Sequence, residues 1–328
     1  MYKLSRFTFY TINSKNELLL YNTLVGKRSL CKLSAEFSDI VRVQYYFNDI
    51  ENHMDFITIL LDKGIIVDAF DDENNKLYEN FLSNISPTNL TLHINPTEKC
   101  NFRCKYCYES FNHGAMSGDV QKNIIDFVRQ NIHKYTGLHV SWFGGEPLMA
   151  IDCIRYLSKK LMNICKYNRI PYSSGITTNG YLLKQDIFNE LLDLNIKSYQ
   201  ITIDGIKSIH DQQRVTLNNC GTYDKIVENL CSIHENNRKD FEILIRSNIT
   251  SEIFENLDEY ISTINTICAN DDRFMFDFHK VGNWMGKASN SLLPKIIDNL
   301  DELQIIYDKL LNSEFSGRLS FGLFYPGN

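Results

Sequence analysis

The rhythm of apolar and polar positions changes near residues 85–90. Before that point the chain reads as a small α+β unit. Segments 5–13, 17–25 and 28–33 alternate with period two, the pattern of half-buried strands. Ser34 ahead of Ala35 reads as a cap, opening a helix that runs to about residue 48. An amphipathic stretch over 51–62 ends at Lys63-Gly64, a helix stop. A short strand at 65–68 and a helix over 73–85 follow, and Ser86-Pro87 closes the unit.

From residue 90 onward, strand and helix patterns take turns. Strands are expected at 90–95, 139–143, 172–177, 198–203, 241–249 and 274–279. Helices are expected at 118–134, 151–166, 184–194, 222–236 and 253–268, with a last one over about 292–312. Six strands separated by helices need crossover connections and so a parallel sheet. That sheet is either open and doubly wound or curled toward a barrel. Both architectures put chemistry at the C-terminal ends of the strands.

Composition narrows the class. A chain of 328 residues holds roughly two domains. With 43% apolar and 23% charged residues it is globular rather than disordered. A net charge of −6, with both signs interspersed, argues against nucleic-acid or membrane-surface partners. No signal-peptide pattern and no apolar run of membrane length is present, so a cytoplasmic location is expected. In a reducing compartment the nine cysteines read as metal-binding, catalytic or buried thiols rather than disulfides.

Three of those cysteines cluster after the first strand of the alternating region, as Cys100-Asn-Phe-Arg-Cys104-Lys-Tyr-Cys107. Thiolates are soft ligands that select zinc or iron–sulfur centres. A closed zinc site wants four ligands, and the nearest further candidate is His113. A four-iron cluster on three cysteines would leave one iron open. Gly144-Gly145-Glu146-Pro147 follows the second strand, where two glycines permit a close backbone approach. Their free N–H and C=O groups could bond a small zwitterion, and Glu146 could accept from an ammonium. Thr177-Thr178-Asn179-Gly180 ends the third strand, and reads either as a turn or as a polar cluster. Asp204-Gly205 ends the fourth, followed by His210, Asp211 and Arg214; a turn with a helix cap is the rival reading. Arg246 and Asn248 share one face of the fifth strand and need partners, from a ligand or from a neighbouring strand. Asp277 in the sixth is a candidate substrate contact or a satisfied interior carboxylate. The other six cysteines show no C-x-x-C spacing and read as structural thiols.

On these residues the chain resembles the radical S-adenosylmethionine (SAM) enzymes, specifically the SPASM-type subgroup that modifies peptides and proteins. The resemblance implies a partial (β/α)6 TIM-type barrel over 87–285, with Cys100, Cys104 and Cys107 holding a 4Fe-4S cluster. It implies SAM contacts from Tyr106, Gly144, Gly145, Glu146, Thr178, Asn179, Arg246 and Asn248, and catalytic roles for Asp204 and Asp277. Residues 1–86 resemble the winged-helix-like, leader-binding domain of enzymes that modify ribosomally made peptides. Residues 286–328 then hold a C-terminal helix and the start of an extension. The cysteine-rich SPASM domain is missing, so the chain is expected to be truncated. The implied activity is cleavage of SAM to a 5′-deoxyadenosyl radical that abstracts hydrogen from a precursor peptide, for example to form a thioether crosslink. Flavodoxin or ferredoxin is the implied reductant. A maturase oxidising a Cys or Ser of a sulfatase, and a non-catalytic peptide- or metal-binding protein, are the rival readings.

Overall fold

A computed structural model describes residues 2–12, 17–25, 29–34, 54–85, 88–268, 271–280, 309 and 318–320. The chain divides into two compact units, Met1–Ser86 and Pro87–Asn328. The expected helix at 35–48 lies outside the described residues, as does nearly all of that at 292–312.

In the first unit, β1 (Tyr2–Leu4) pairs antiparallel with β5 (Ile66–Asp68). A second antiparallel sheet runs β2 (Thr8–Ile12), β3 (Leu18–Asn22), β4 (Cys31–Leu33). Helices α1 (Met54–Asp62) and α2 (Glu73–Ile85) are the described helices of the unit. The strand expected at 5–13 begins only at Thr8, because Ser5 makes a turn, and β1 ahead of that turn was not foreseen. The Ser5 Oγ accepts from the Phe7 N–H at 3.2 Å and its carbonyl from the Thr8 N–H at 2.9 Å. Likewise β3 stops at Asn22, whose Oδ1 captures the N–H groups of Leu24 and Val25 at 2.8 and 3.1 Å. Gly64, at φ +65°, ends α1 as its position suggested. A small core of Leu18, Leu20, Leu33, Ile57, Leu60, Ile65 and Ile66 holds the unit together.

The second unit is a seven-stranded parallel sheet. Its strands are β6 (Asn89–Ile94), β7 (Gly137–Trp142), β8 (Tyr172–Thr178), β9 (Ile196–Thr202), β10 (Glu242–Ile249), β11 (Phe274–Lys280) and β12 (Arg318–Ser320). They pair in strict sequence order. Crossovers of the usual right hand that always step the same way put the described helices on one face. This excludes the doubly wound alternative and makes the unit an open (β/α) barrel. The helices are α3 (Gly118–Asn131), α4 (Ile151–Asn168), α5 (Gln185–Asp193), α6 (Lys207–Gln213), α7 (Tyr223–His234), α8 (Ser251–Glu255) and α9 (Leu257–Cys268). In β10 the outward row of Ile243, Ile245, Ser247 and Ile249 is buried, whereas Leu244, Arg246 and Asn248 are half-buried on the concave side. Three-residue β12 was not foreseen, since Arg-Leu-Ser is too short to show a period. No described helix is long and apolar enough to cross a membrane.

Candidate active site

The loop after β6 carries Cys100, Cys104 and Cys107, all half-buried and free. It is held by a strap that no motif announced. The N–H groups of Arg103 and Lys105 donate to the carbonyls of Val215 and Gln213 at 2.8 and 2.9 Å, and that of Leu217 to Asn101 at 3.1 Å. Phe102, 1% exposed, packs edge-on to Tyr181 with ring centroids 5.6 Å apart and anchors the loop in the core. Burial pushes the Cys100 thiol up to about 12 and Cys104 to about 11, and Cys107 moves the same way. A bound metal would reverse this by deprotonating the thiols outright.

Among the described residues no three His, Cys, Asp or Glu side chains meet as a lone metal ion requires. A four-iron cluster makes a different demand, because each thiolate binds its own iron at a separate corner. Three soft donors on one pinned loop suit it. Cys100 Sγ also faces the Phe102 N–H at 3.4 Å and the Asn179 amide at 3.9 Å, contacts of the kind that tune such clusters.

Gly144 and Gly145 are glycines because backbone packs on backbone. A Cβ at Gly144 would lie 2.4 Å from the Thr97 carbonyl oxygen, and one at Gly145 2.3 and 2.5 Å from those of Glu98 and Lys99. The N–H groups of Gly145 and Glu146 are not free. They donate to the carbonyls of Thr97 and Lys99 at 3.1 and 2.9 Å and so seat the run-up to the cysteine loop. Glu146 is fully buried and accepts from the Leu148 N–H, the Thr178 hydroxyl and the Asn179 N–H at 3.0, 2.7 and 2.7 Å. Burial pushes its carboxyl up against the pull of these bonds. Asn179 in turn donates to Asn101 Oδ1 at 2.8 Å. The glycine turn, the end of β8 and the cysteine loop are thus one hydrogen-bonded unit.

Asp204, fully buried after β9, is the hub of a second network. Its Oδ2 accepts from the Tyr106 hydroxyl, and its Oδ1 from the N–H and side-chain amide of Asn248 at 2.9 and 3.2 Å. Arg214 donates to the Tyr106 hydroxyl and lies 3.9 Å from Asp204. Burial pushes the Asp204 carboxyl up, opposed by Arg214, Tyr106 and Asn248. His210 accepts from the Asp204 N–H through Nδ1 at 3.2 Å and meets the Thr222 hydroxyl with Nε2 at 3.1 Å. Burial and the Arg214 charge hold it well below the ordinary histidine value, so it is neutral. Asp211 is the helix cap: it accepts from the N–H groups of Thr222 and Tyr223 at 2.7 and 2.9 Å, at the start of α7. Asn248 therefore joins the Asp204 hub. Arg246 sits opposite Asp277 in the β10–β11 register, and Asp277, 6% exposed, has one carboxylate oxygen without a partner.

The Radical SAM superfamily pattern matches residues 94–267, more than half of the chain. The chain belongs to the radical SAM superfamily. Enzymes of this superfamily use a 4Fe-4S cluster and SAM. A GTP 3′,8-cyclase of Clostridium perfringens is 29% identical over 188 residues, covering 55% of this chain and 52% of its own length. A cysteine-type anaerobic sulfatase-maturating enzyme of Clostridium novyi is 30% identical over 152 residues, 43% of this chain and 39% of its own. The chain thus spans about half or less of these curated relatives. Among solved structures, anSMEcpe with bound AdoMet aligns with TM-score 0.50 at 20% identity, covering 70% of this chain and 63% of that one, and shares the radical SAM fold. SuiB of Streptococcus suis bound to S-adenosylmethionine covers 97% of this chain and 72% of its own, with TM-score 0.49 and 16% identity.

Proposed function

We propose that this chain is a radical SAM enzyme that modifies a ribosomally made peptide. One observation carries the reading: the cysteine loop, the Gly144–Glu146 turn, the Thr178–Asn179 strand end and the Asp204–Tyr106–Asn248 network are bonded together at one end of the strands. Cys100, Cys104 and Cys107 would hold the cluster. When bound, cluster and SAM supply an electron and a 5′-deoxyadenosyl radical for hydrogen abstraction. The residues of this chain bind and orient. The glycine turn and Asn179 would seat the methionyl end of SAM, Arg246 would meet its carboxylate, and Tyr106 and Asn248 would line the rest of the site. Asp204, with its oxygens engaged by Tyr106 and Asn248, orients Tyr106. Asp277, with a spare buried oxygen, is the group able to take a proton from the substrate.

The first unit supplies the peptide site. Strand β2 is an edge of its sheet, with Phe9 and Tyr10 64% and 52% exposed. An extended leader could add there as a further strand. Flavodoxin or ferredoxin would deliver the electron.

Anaerobic reconstitution tests the chemistry. About four irons per chain should bind, and 5′-deoxyadenosine should form when SAM and dithionite are added. A colourless protein holding one zinc would overturn the reading. For the substrate, a synthetic peptide encoded by a short neighbouring reading frame should bind the full chain, and Phe9→Asp should weaken that binding. Equal binding to both proteins refutes the β2 site. Turnover of a sulfatase Cys or Ser peptide in its place favours the maturase.

A further inference from the structure

Arg214 is a buried charge that the roles above leave without a task. Its side chain is 6% exposed, and its Nε has no hydrogen-bond partner. The nearby carboxylate, Asp204, is shared with Tyr106 and Asn248. A guanidinium buried with an unanswered N–H is costly unless something else meets its charge. Its position says what that is. Arg214 belongs to the strap whose backbone pairs with the cysteine loop, between the Gln213 and Val215 carbonyls that hold Lys105 and Arg103. Its guanidinium lies 5.7 Å from the ring centroid of Phe102, midway in sequence between Cys100 and Cys104. Its Nη1 donates to the Tyr106 hydroxyl, and Tyr106 lies in the loop between Cys104 and Cys107. Beside it the Gln213 amide, 2% exposed, has no partner at either atom.

We propose that Arg214 is the counter-charge of the iron–sulfur site, raising its reduction potential, and that Asp204 moderates that charge through the Tyr106 bridge. The inference rests on the cluster reading above. Three thiolates outweigh the positive charge of the core, so the site is anionic and becomes more so on reduction. A fixed cation in a low-dielectric setting favours the reduced form. Arg214 acts as a positioning and tuning residue and forms no bond in the reaction.

The test is an EPR-monitored redox titration of the reconstituted full chain, with iron determined on the same samples. Arg214→Gln should lower the ratio of reduced to oxidised cluster about tenfold at fixed poise, which is about 59 mV for one electron. Arg214→Lys, which keeps the charge, should stay nearer the wild-type potential. Asp204→Asn removes the opposing charge and should shift the potential the other way. An Arg214→Gln protein with full iron and an unchanged potential overturns the proposal. Should that variant hold less iron, Asp204→Asn decides: an upward shift supports the proposal and no shift overturns it. Wild-type protein that takes up no iron removes the cluster reading itself, an outcome distinct from either.

Discussion

Among the described residues the barrel holds two little-exposed arginine–aspartate pairs, one at each end of its strands, and they are built to different standards. At the N-terminal end Arg273, just before β11, is saturated. Its Nε donates to both oxygens of Asp271 at 2.9 and 3.0 Å, and Nη2 to Asp271 and the His234 carbonyl at 2.5 and 2.6 Å. Nη1 donates to the carbonyls of Asn236 and Arg238 at 2.6 and 2.7 Å, and the guanidinium lies 4.7 Å from the Phe241 centroid. Burial pushes Asp271 up, yet the Arg273 hydrogen bonds and charge outweigh it and hold the carboxyl below its usual value. At the C-terminal end the balance reverses. Asp204 is pushed up, and Arg214 keeps an unpartnered N–H. Arg273 spends every donor on its surroundings, whereas Arg214, beside the cysteine loop, leaves one N–H unspent.

Substitutions at the two ends should therefore fail in different measurements. The largest effect is expected at the cysteine loop. Cys104→Ala should take bound iron from about four per chain to near none, read by colorimetric iron assay, with little change in the melting of the apoprotein. The next is at the other end. Arg273→Gln leaves the partly buried Asp271 beside carbonyls that have lost their donors, and should cost about 3 kcal/mol of stability. Urea denaturation would measure it. Iron per folded chain should stay at the wild-type value. If Arg273→Gln lost iron without losing stability, the division of labour between the ends would be wrong.

Much of this arrangement could be read in advance, for a physical reason. Cysteine spacing, paired glycines and polar residues at strand ends are local in sequence, and so is the period-two or 3.6 pattern that places them. The strap from Gln213 to Leu217 is not local: it meets the loop through backbone groups, which every residue carries, so no side chain marks it. The glycine turn was half legible. Its close approach was foreseen, but its N–H groups go to Thr97 and Lys99 rather than standing open. Gly145 now gives the third test. The oxygens that a Cβ would meet belong to the backbone and cannot swing aside, so Gly145→Ala should cost about 1–3 kcal/mol and displace the loop, lowering iron uptake. Gly118, with nothing within 4 Å of its would-be Cβ, is the control: Gly118→Ala should leave both measurements at or slightly above wild type.

The smallest effect expected is a pH dependence, and it tests whether the Asp204 end stays unprotonated at its histidine. His210 is buried and neutral, with Nδ1 accepting from the Asp204 N–H. Its folded value lies below its unfolded one, so at pH above about 6.5 both states are neutral and the group contributes no slope. Below that pH the unfolded chain takes up a proton that the folded chain refuses. Stability then falls by about 1.4 kcal/mol per pH unit on this account. Asp271, held below its ordinary value, contributes in the same direction but only near and below pH 4, a separate window. Denaturation midpoints between pH 7 and 5 should therefore decline in the wild type and decline less in His210→Asn, which can still accept from the Asp204 N–H. Equal slopes in the two proteins would mean that His210 charges in the folded state, and that the network around Asp204 takes up a proton where the structure shows an acceptor.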